Sequence, residues 1–416
     1  MEAVVAAPGR CPRHARAAAA PPKDVGNWVR LTDLWAEPFR LFFPLAALAG
    51  LVGVAFWPLM LKGWIDYFPN IIHARLMVPG FFGGFVIGFL ATSIPRLLEA
   101  PRLRAVEVLL LWTMHAGLVG AYAFNHIALG DRLAVGNVIL LLVVLGLRVW
   151  RRKDLPAPGF VMILPGLFCL LAGLAIAETD RRTPLEGEFD LLFRLLTYHG
   201  YPLLCILGAG SFLLPRFLGV GVRRRFADGP RPDRAWLIGA VITIAAGFTV
   251  MASYGLDVYV DTRLGGTIRA LAVTGYLCWE IPVERLRWSG RGVQWFLLVG
   301  IIALPVGILA AGWWPGLRVA LGHIELITGF SFITLAVATR VVFGHSGNRE
   351  KLERFHPWIT FAGVLILLSV PTRIAGEIWP QLMLTHYLYG AVGFLTGLAI
   401  WMVCVLPKVL RPDPEG

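Results

Sequence analysis

Two Gly-His pairs bracket one apolar run in the segment GHIELITGFSFITLAVATRVVFGHSG, residues 322–347. His323 and His345 lie 22 residues apart, and a continuous helix would separate them by about 33 Å. That distance is roughly the thickness of the hydrocarbon core of a bilayer, so the two side chains cannot bind one ion or one haem. The spacing predicts that each histidine acts at its own membrane face.

The composition places these histidines in a polytopic membrane protein. Of the 416 residues, 57% are hydrophobic and 15% are charged, whereas soluble domains carry about 25% charged residues. The five cysteines show no metal-binding spacing, and four of them fall inside apolar stretches, where cysteine is usually a small buried hydrophobe. The lipid bilayer is therefore the predicted partner.

Apolar stretches of about 20 residues predict an all-α bundle of twelve transmembrane helices. The predicted spans are 41–61, 76–95, 105–125, 133–150, 158–178, 191–215, 235–254, 264–281, 293–312, 319–343, 357–373 and 382–406. Residues 1–36 are expected to form a disordered cytoplasmic tail, 37–410 a single transmembrane domain and 411–416 a short C-terminal tail.

Basic residues orient this bundle. Most of the 38 Lys and Arg fall in the loops and tails on one side of the predicted membrane, as in the runs at 151–153 and 223–225. The positive-inside rule then predicts that both termini are cytoplasmic, in a bacterial inner membrane. The net charge of +12 follows from this topology, so we expect no nucleic-acid partner.

Ionisable side chains inside the spans are the candidate site residues, because they are costly in lipid. Histidines on facing helices can hold haem iron or copper, and arginines at the same depth can pair with haem propionates. The alternative is that a single His or Arg near the interface extends to the lipid headgroups. The candidate cofactor-binding residues are His73, His115, His199, His323, His386, Arg194 and Arg269, with His73 and His323 as candidate metal ligands.

Three stretches resemble the NnrS family of polytopic membrane proteins. They are EPFRLFFPLAALAGL at 37–51, HARLMVPGFFGGFVIGFLATSIP at 73–95 and the segment 322–347. The resemblance covers the chain from about residue 37 and implies haem, copper and a role in the response to nitric oxide. Carried over position by position, it singles out Arg40, His73, Met77, His323, Arg340, Gly344, His345 and Gly347.

The departures from the family pattern concern copper. Arg75 and Leu76 stand where the family has a second His and a Glu, so a copper site that uses those side chains loses ligands here. Gly210-Ser211-Phe212 stands where the family often has Gly-Gly-Arg. The expectation is a divergent member that binds haem, with copper in doubt.

Three functions stay open at this point. The first is a haem-binding protein of nitric oxide or related redox stress, and the second is a small-anion transporter that uses Arg194 and Arg269. The third is a non-catalytic subunit of a larger respiratory or photosynthetic membrane complex. No proton-delivery chain or nucleophile arrangement identifies catalytic residues, so the sequence leaves enzymatic activity undecided. At the other end of the 322–347 helix, His345 is expected to act as a helix cap or a docking contact.

Overall fold

The computed structural model describes residues 28–223, 226–287 and 292–412, which fold as helices joined by short connections. A short helix, Leu31–Ala36, precedes twelve long helical segments. In chain order these are α1 Phe39–Leu61, α2 Asn70–Leu97, α3 Ala105–Ala123, α4 Ile127–Trp150, α5 Pro158–Arg182, α6 Gly187–Phe217, α7 Arg234–Tyr259, α8 Thr262–Glu280, α9 Gln294–Trp313, α10 Pro315–Gly344, α11 Pro357–Ile378 and α12 Pro380–Leu410. The predicted all-α bundle is confirmed.

Eleven of the twelve helices are long and apolar enough to cross a membrane. The exception is α8, whose 19 residues include Arg263, Arg269 and Glu280. It nevertheless packs along both α7 and α9, and a Cβ on its Gly266 would lie 2.9 Å from the Cα of Gly312 in α9. Close approach of small residues is typical of membrane helix packing, so α8 is a full member of the bundle.

The helices form three quartets with the same internal contacts. In each quartet the first helix packs on the second, and the third packs on the fourth. The fourth helix then contacts the first helix of the next quartet: α4 meets α5, α8 meets α9, and α12 returns to α1. The twelve helices therefore close into a ring of three similar units.

The second helix of each quartet lies at the centre. The most apolar windows of α2, α6 and α10 are 83%, 61% and 67% buried, against 28% for α7 and 33% for α4 and α12. Direct contacts join the three: α6 touches α10, and the rings of Phe82 in α2 and Phe330 in α10 lie 5.7 Å apart. The hydroxyl of Tyr201 in α6 lies beside Gly83 of α2.

Each central helix also contains a π-helical stretch. The three stretches are Leu76–Phe82, Leu195–Gly200 and Ile324–Ser331. Such stretches are rare and are frequently found at functional sites. Each one begins within four residues of a predicted ligand, namely His73, His199 or His323.

Both ends of the described chain lie at one face of the bundle, because the amide of Val29 donates to the carbonyl of Leu410. We call this end the terminal face and the opposite end the far face. The central helices all start at the far face and finish at the terminal face.

Candidate functional site

The far face brings three of the predicted histidines together. Nδ1 of His199 lies 2.8 Å from the Oε2 atom of Glu325, a buried carboxylate in α10. The His199 ring also packs against Gly322, where an added Cβ would lie 3.4 Å from Cε1. His323 is close enough to His199 and His73 to interact electrostatically with both. Helices α2, α6 and α10 therefore contribute one histidine each to a shared layer.

The two metal-ligand candidates in this layer are oriented by main-chain carbonyls. Nδ1 of His73 lies 3.0 Å from the carbonyl oxygen of Gly53, and Nδ1 of His323 lies 2.6 Å from that of Val319. Histidine ligands of metals usually have one ring nitrogen held in this way, which leaves Nε2 for the metal. The guanidinium of Arg373 interacts electrostatically with both rings.

Aromatic and charged groups of α1, α11 and α12 complete this side of the layer. The Trp57 ring lies edge-on to both His73 and Tyr387, at 5.8 and 5.4 Å. Arg373 lies 4.1 Å from the Tyr387 ring and forms a 2.9 Å ion pair with Glu377. Arg373 was not among the predicted site residues, although it lies inside α11 and an ionisable side chain within a membrane helix is a functional candidate.

The two predicted arginines have other partners. Arg269 is buried, forms a 2.8 Å ion pair with Asp257 and lies over the ring of Tyr254. Arg318 binds the second oxygen of the same aspartate at 2.6 Å. Arg194 is about half exposed and pairs with Asp190 one turn away. Neither predicted arginine therefore offers an unpaired charge to the histidine layer.

His115 and His386 lie apart from the three. His115 is fully buried in α3, where its Nε2 lies 3.0 Å from the carbonyl oxygen of Gly80 and its Nδ1 has no partner among the described residues. The Cβ of His386 packs on Gly376 of α11, and its Nδ1 likewise lacks a partner within the described ranges.

Arg75 forms a buried ion pair. Its Nε and Nη2 atoms lie 2.7 and 3.1 Å from the two carboxylate oxygens of Asp131 in α4. Arg181 and the hydroxyl of Tyr122 bind the same carboxylate at 2.9 Å. The Arg75 guanidinium also donates to the hydroxyl of Tyr198, which precedes His199. The Arg75 side chain therefore holds α2, α4 and α6 together.

The family stretches also converge at the terminal face, in a cluster of Glu37, Arg40, Arg96 and His345. Glu37 accepts from Arg40 at 2.7 Å and from Arg96 at 2.5 Å. Nδ1 of His345 lies 2.8 Å from a carboxylate oxygen of Glu37, and Nε2 of the same ring lies 3.1 Å from the Arg96 guanidinium. Arg40 further donates to the carbonyls of His345, at 2.9 Å, and of Arg411, at 2.8 Å.

The environment of Glu37 shifts its pKa strongly. Burial by itself raises the pKa of this carboxyl, but the hydrogen bond from His345 and the positive charges of His345, Arg40 and Arg96 outweigh it. The pKa falls from an ordinary value of 4.5 to about 2, so the carboxylate stays ionised at neutral pH.

The remaining motif residues have structural contacts. His345 is the C-cap of α10, and Gly347 has a φ of +66°, a left-handed conformation that favours glycine. Gly344 is the last helical residue. Arg340 donates to the carbonyl of Phe217 at 2.9 Å, and the sulfur of Met77 lies beside Gly53. The interpretation of His345 as a cap therefore agrees with the geometry.

The far-face layer suits a group that needs few protein ligands. Within the described residues there is no group of three or more His, Cys, Asp or Glu side chains able to hold a metal ion. Haem iron takes one or two protein ligands, whereas a copper site of the His₂Cys type takes three with a weak fourth. One or two histidines beside an arginine are a donor set of the kind that haem iron takes.

Comparison with proteins of curated function finds no match. A family model does match: NnrS protein, over residues 33–412. That range contains all three stretches on which the resemblance rests and every far-face and terminal-face residue described above. The chain belongs to the NnrS family.

Proposed function

We propose that this protein binds haem in the far-face layer, where His73 and His323 would hold the iron. The observation that carries the proposal is the shared setting of the two rings in this layer. Each has Nδ1 at a main-chain carbonyl, they interact electrostatically, and both have Arg373 as a neighbour. A bound haem would supply an iron able to take up a small redox-active ligand. The protein would orient both rings and offer Arg373 to a propionate.

We propose that copper is not part of this site. Arg75, at the position of a family histidine, is held by Asp131 with both carboxylate oxygens, and Leu76 cannot ligate a metal. His199, whose Nδ1 is held by Glu325, still has Nε2 available, so the case against copper rests on the residues at positions 75 and 76. The proposed protein is therefore a haem-only member.

The biological role we propose is a response to nitric oxide or a related redox stress in the bacterial cytoplasmic membrane, with both termini inside. Family membership supports this role. Anion transport has less support, because Arg269 and Arg194 are both neutralised by aspartates.

The test is the optical spectrum and haem content of the purified full-length protein. We expect a Soret band in the wild type, and the variants His73→Ala and His323→Ala should each lower haem affinity by at least about tenfold. His386→Ala is the matched control, since it removes a half-buried far-face histidine outside the pair. Added imidazole should partly restore the band in His323→Ala.

Two results would overturn the proposal. One is a wild-type protein with neither iron nor a Soret band after expression with sufficient haem. The other is full haem content in the double variant of His73 and His323. If the empty protein instead co-purifies stably with a respiratory complex, the role as an assembly subunit replaces this one.

A further inference from the structure

A cavity of about 70 Å³ lies where the three central helices meet. Residues of α2, α6 and α10 line it, together with one side chain each from α1 and α5. Among the described residues that line it, only Cys205 and Thr334 carry a polar side-chain atom. The cavity is therefore an almost wholly apolar space between the innermost helices of the bundle.

The cavity lies inside the membrane-spanning part of these helices. In α10 its last lining residue is Ala338, six residues before the helix ends at Gly344, which is about 9 Å along the axis. In α2 its last lining residue is Leu90, seven residues before Leu97. A charged solute at this depth would lose its hydration and find only apolar walls, so the cavity suits an uncharged molecule.

The walls disfavour water as the occupant. A buried water usually makes about three hydrogen bonds, whereas the side chains here offer one hydroxyl and one thiol, which is a weak donor and acceptor. Apolar cavities stay dry and take up apolar guests instead: a cavity of about 150 Å³ lined by aliphatic and aromatic side chains binds benzene. The volume in this protein is about half as large, so a six-membered ring does not fit.

A hydrocarbon chain from the bilayer is too large as well. One water molecule occupies about 30 Å³ in the liquid, so about 70 Å³ holds a molecule of two or three heavy atoms. The outer helices of the quartets also lie around the central three, and the most apolar windows of α2 and α10 are 83% and 67% buried. The occupant is therefore small, uncharged and compact.

We propose that the central cavity is a binding site for one uncharged gas molecule of two or three heavy atoms, a class that includes dioxygen and nitric oxide. Transfer of such a molecule from water to apolar walls is favourable. The site is separate from the histidine layer, because Cys205 follows His199 by six residues in α6, or about 9 Å along the axis. The proposal goes beyond the proposed function and does not depend on bound haem.

The test uses dioxygen as the gas and methyl groups of the protein as the detectors. The full-length protein, purified in detergent with labelled alanine and leucine methyl groups, is placed under dioxygen pressure. Dioxygen is paramagnetic and speeds the nuclear relaxation of any methyl group beside it, and argon at the same pressure serves as the diamagnetic reference. The readout compares buried sites within one protein, so a failure here is distinct from an absence of haem.

We expect a large difference between lining and non-lining methyl groups of equal burial. Leu214 and Ala338 line the cavity and are each 1% exposed, whereas Leu398 and Ala362 lie outside it and are 0% exposed. Under dioxygen, the relaxation rates of the first two should increase several times more than those of the second two. Equal increases in the four residues would overturn the proposal.

Two substitutions in the cavity wall should change this difference in opposite directions. Ala209→Leu adds three carbon atoms at a lining position and should remove most of the extra relaxation at Leu214 and Ala338, while Val337→Ala enlarges the space and should increase it. The matched control is Ala245→Leu, at an exposed position of α7, which should leave it unchanged. Extra relaxation that survives Ala209→Leu, or an equal loss in Ala245→Leu, would contradict the assignment. Unchanged helical circular dichroism and elution volume verify that each variant is folded.

Discussion

Arg75 shows how one residue changes what a site can do. At the position of a family histidine, it forms a two-point ion pair with Asp131, and both side chains are almost fully buried. Removing one partner of such a pair leaves an uncompensated charge in a low-dielectric interior. The Arg75 side chain therefore makes a structural contact between helices and offers no lone pair to a metal ion.

We therefore predict that Asp131→Asn strongly destabilises the protein. Arg75 and Arg181 would lose their shared carboxylate, and breaking a buried pair costs about 3–5 kcal/mol. The measurement is the thermal unfolding midpoint in detergent. Asp190→Asn removes an exposed partner, that of Arg194, and should cost less than about 1 kcal/mol. Equal midpoints for the two variants would contradict this reading of the network.

The sequence predicted the positions of residues correctly where these depend only on depth in the membrane. The length of the apolar run separates His323 from His345, and the structure places them at opposite faces. It could not pair Arg75 with Asp131, because their contact depends on how α2 and α4 are rotated and placed beside each other. The helical periodicity of a single chain does not contain that information.

At the scale of elements, the glycines of α2 illustrate how close packing is encoded. A Cβ on Gly84 would lie 2.7 Å from both the Cβ of Ala46 and Nε2 of His115. This glycine belongs to the glycine-rich run at 80–89, and side chains of α1 and α3 fill the space beside it. The packing of His115 depends on this missing side chain.

The corresponding prediction is that Gly84→Ala destabilises the bundle by about 1–3 kcal/mol through overpacking. Gly146→Ala, in α4 with open space around it, should instead be neutral or stabilise by up to about 1 kcal/mol, because alanine favours helix. Thermal unfolding of both variants under one set of conditions is the measurement. A gain in stability for Gly84→Ala would show that α1 and α2 separate more easily than their contacts imply.

The helices themselves were predictable because lipid requires long apolar stretches, and all twelve are present. The π-helical stretches within these helices were not predictable. The π-helical stretch Ile324–Ser331 interrupts a sequence whose apolar pattern is that of an ordinary helix. Its position follows from packing against α9 and α11, which sequence periodicity does not report.

At the scale of the whole molecule, the terminal-face cluster ties the first helix to the last. Arg40, at the start of α1, donates to the carbonyls of Val409 and Arg411 and to that of His345. Glu37 holds Arg40 in place and joins it to Arg96 of α2. One carboxylate therefore links three helices where the ring of quartets closes.

This linkage predicts a specific loss of stability in acid. The pKa of Glu37 is lowered from 4.5 to about 2 in the folded protein. Its stabilising contribution is therefore complete above pH 4.5 and is lost as the pH falls from about 4.5 to about 2. Unfolding followed by circular dichroism across this range should show the decline. In Glu37→Gln the protein should be less stable at neutral pH and this component of the acid dependence should disappear; an unchanged acid profile would contradict the assignment.

The closure of the ring has a consequence for biosynthesis. Helix α1 leaves the ribosome first, but its neighbour α12 begins at Pro380, about 340 residues later. At 5–20 residues per second, translation leaves that flank of α1 uncovered for roughly 20 to 70 s. Throughout this interval Arg40 lacks the carbonyls of Val409 and Arg411 that it will finally bind. The nascent first quartet must therefore be shielded by lipid, or by the insertion machinery, until the last helix is made.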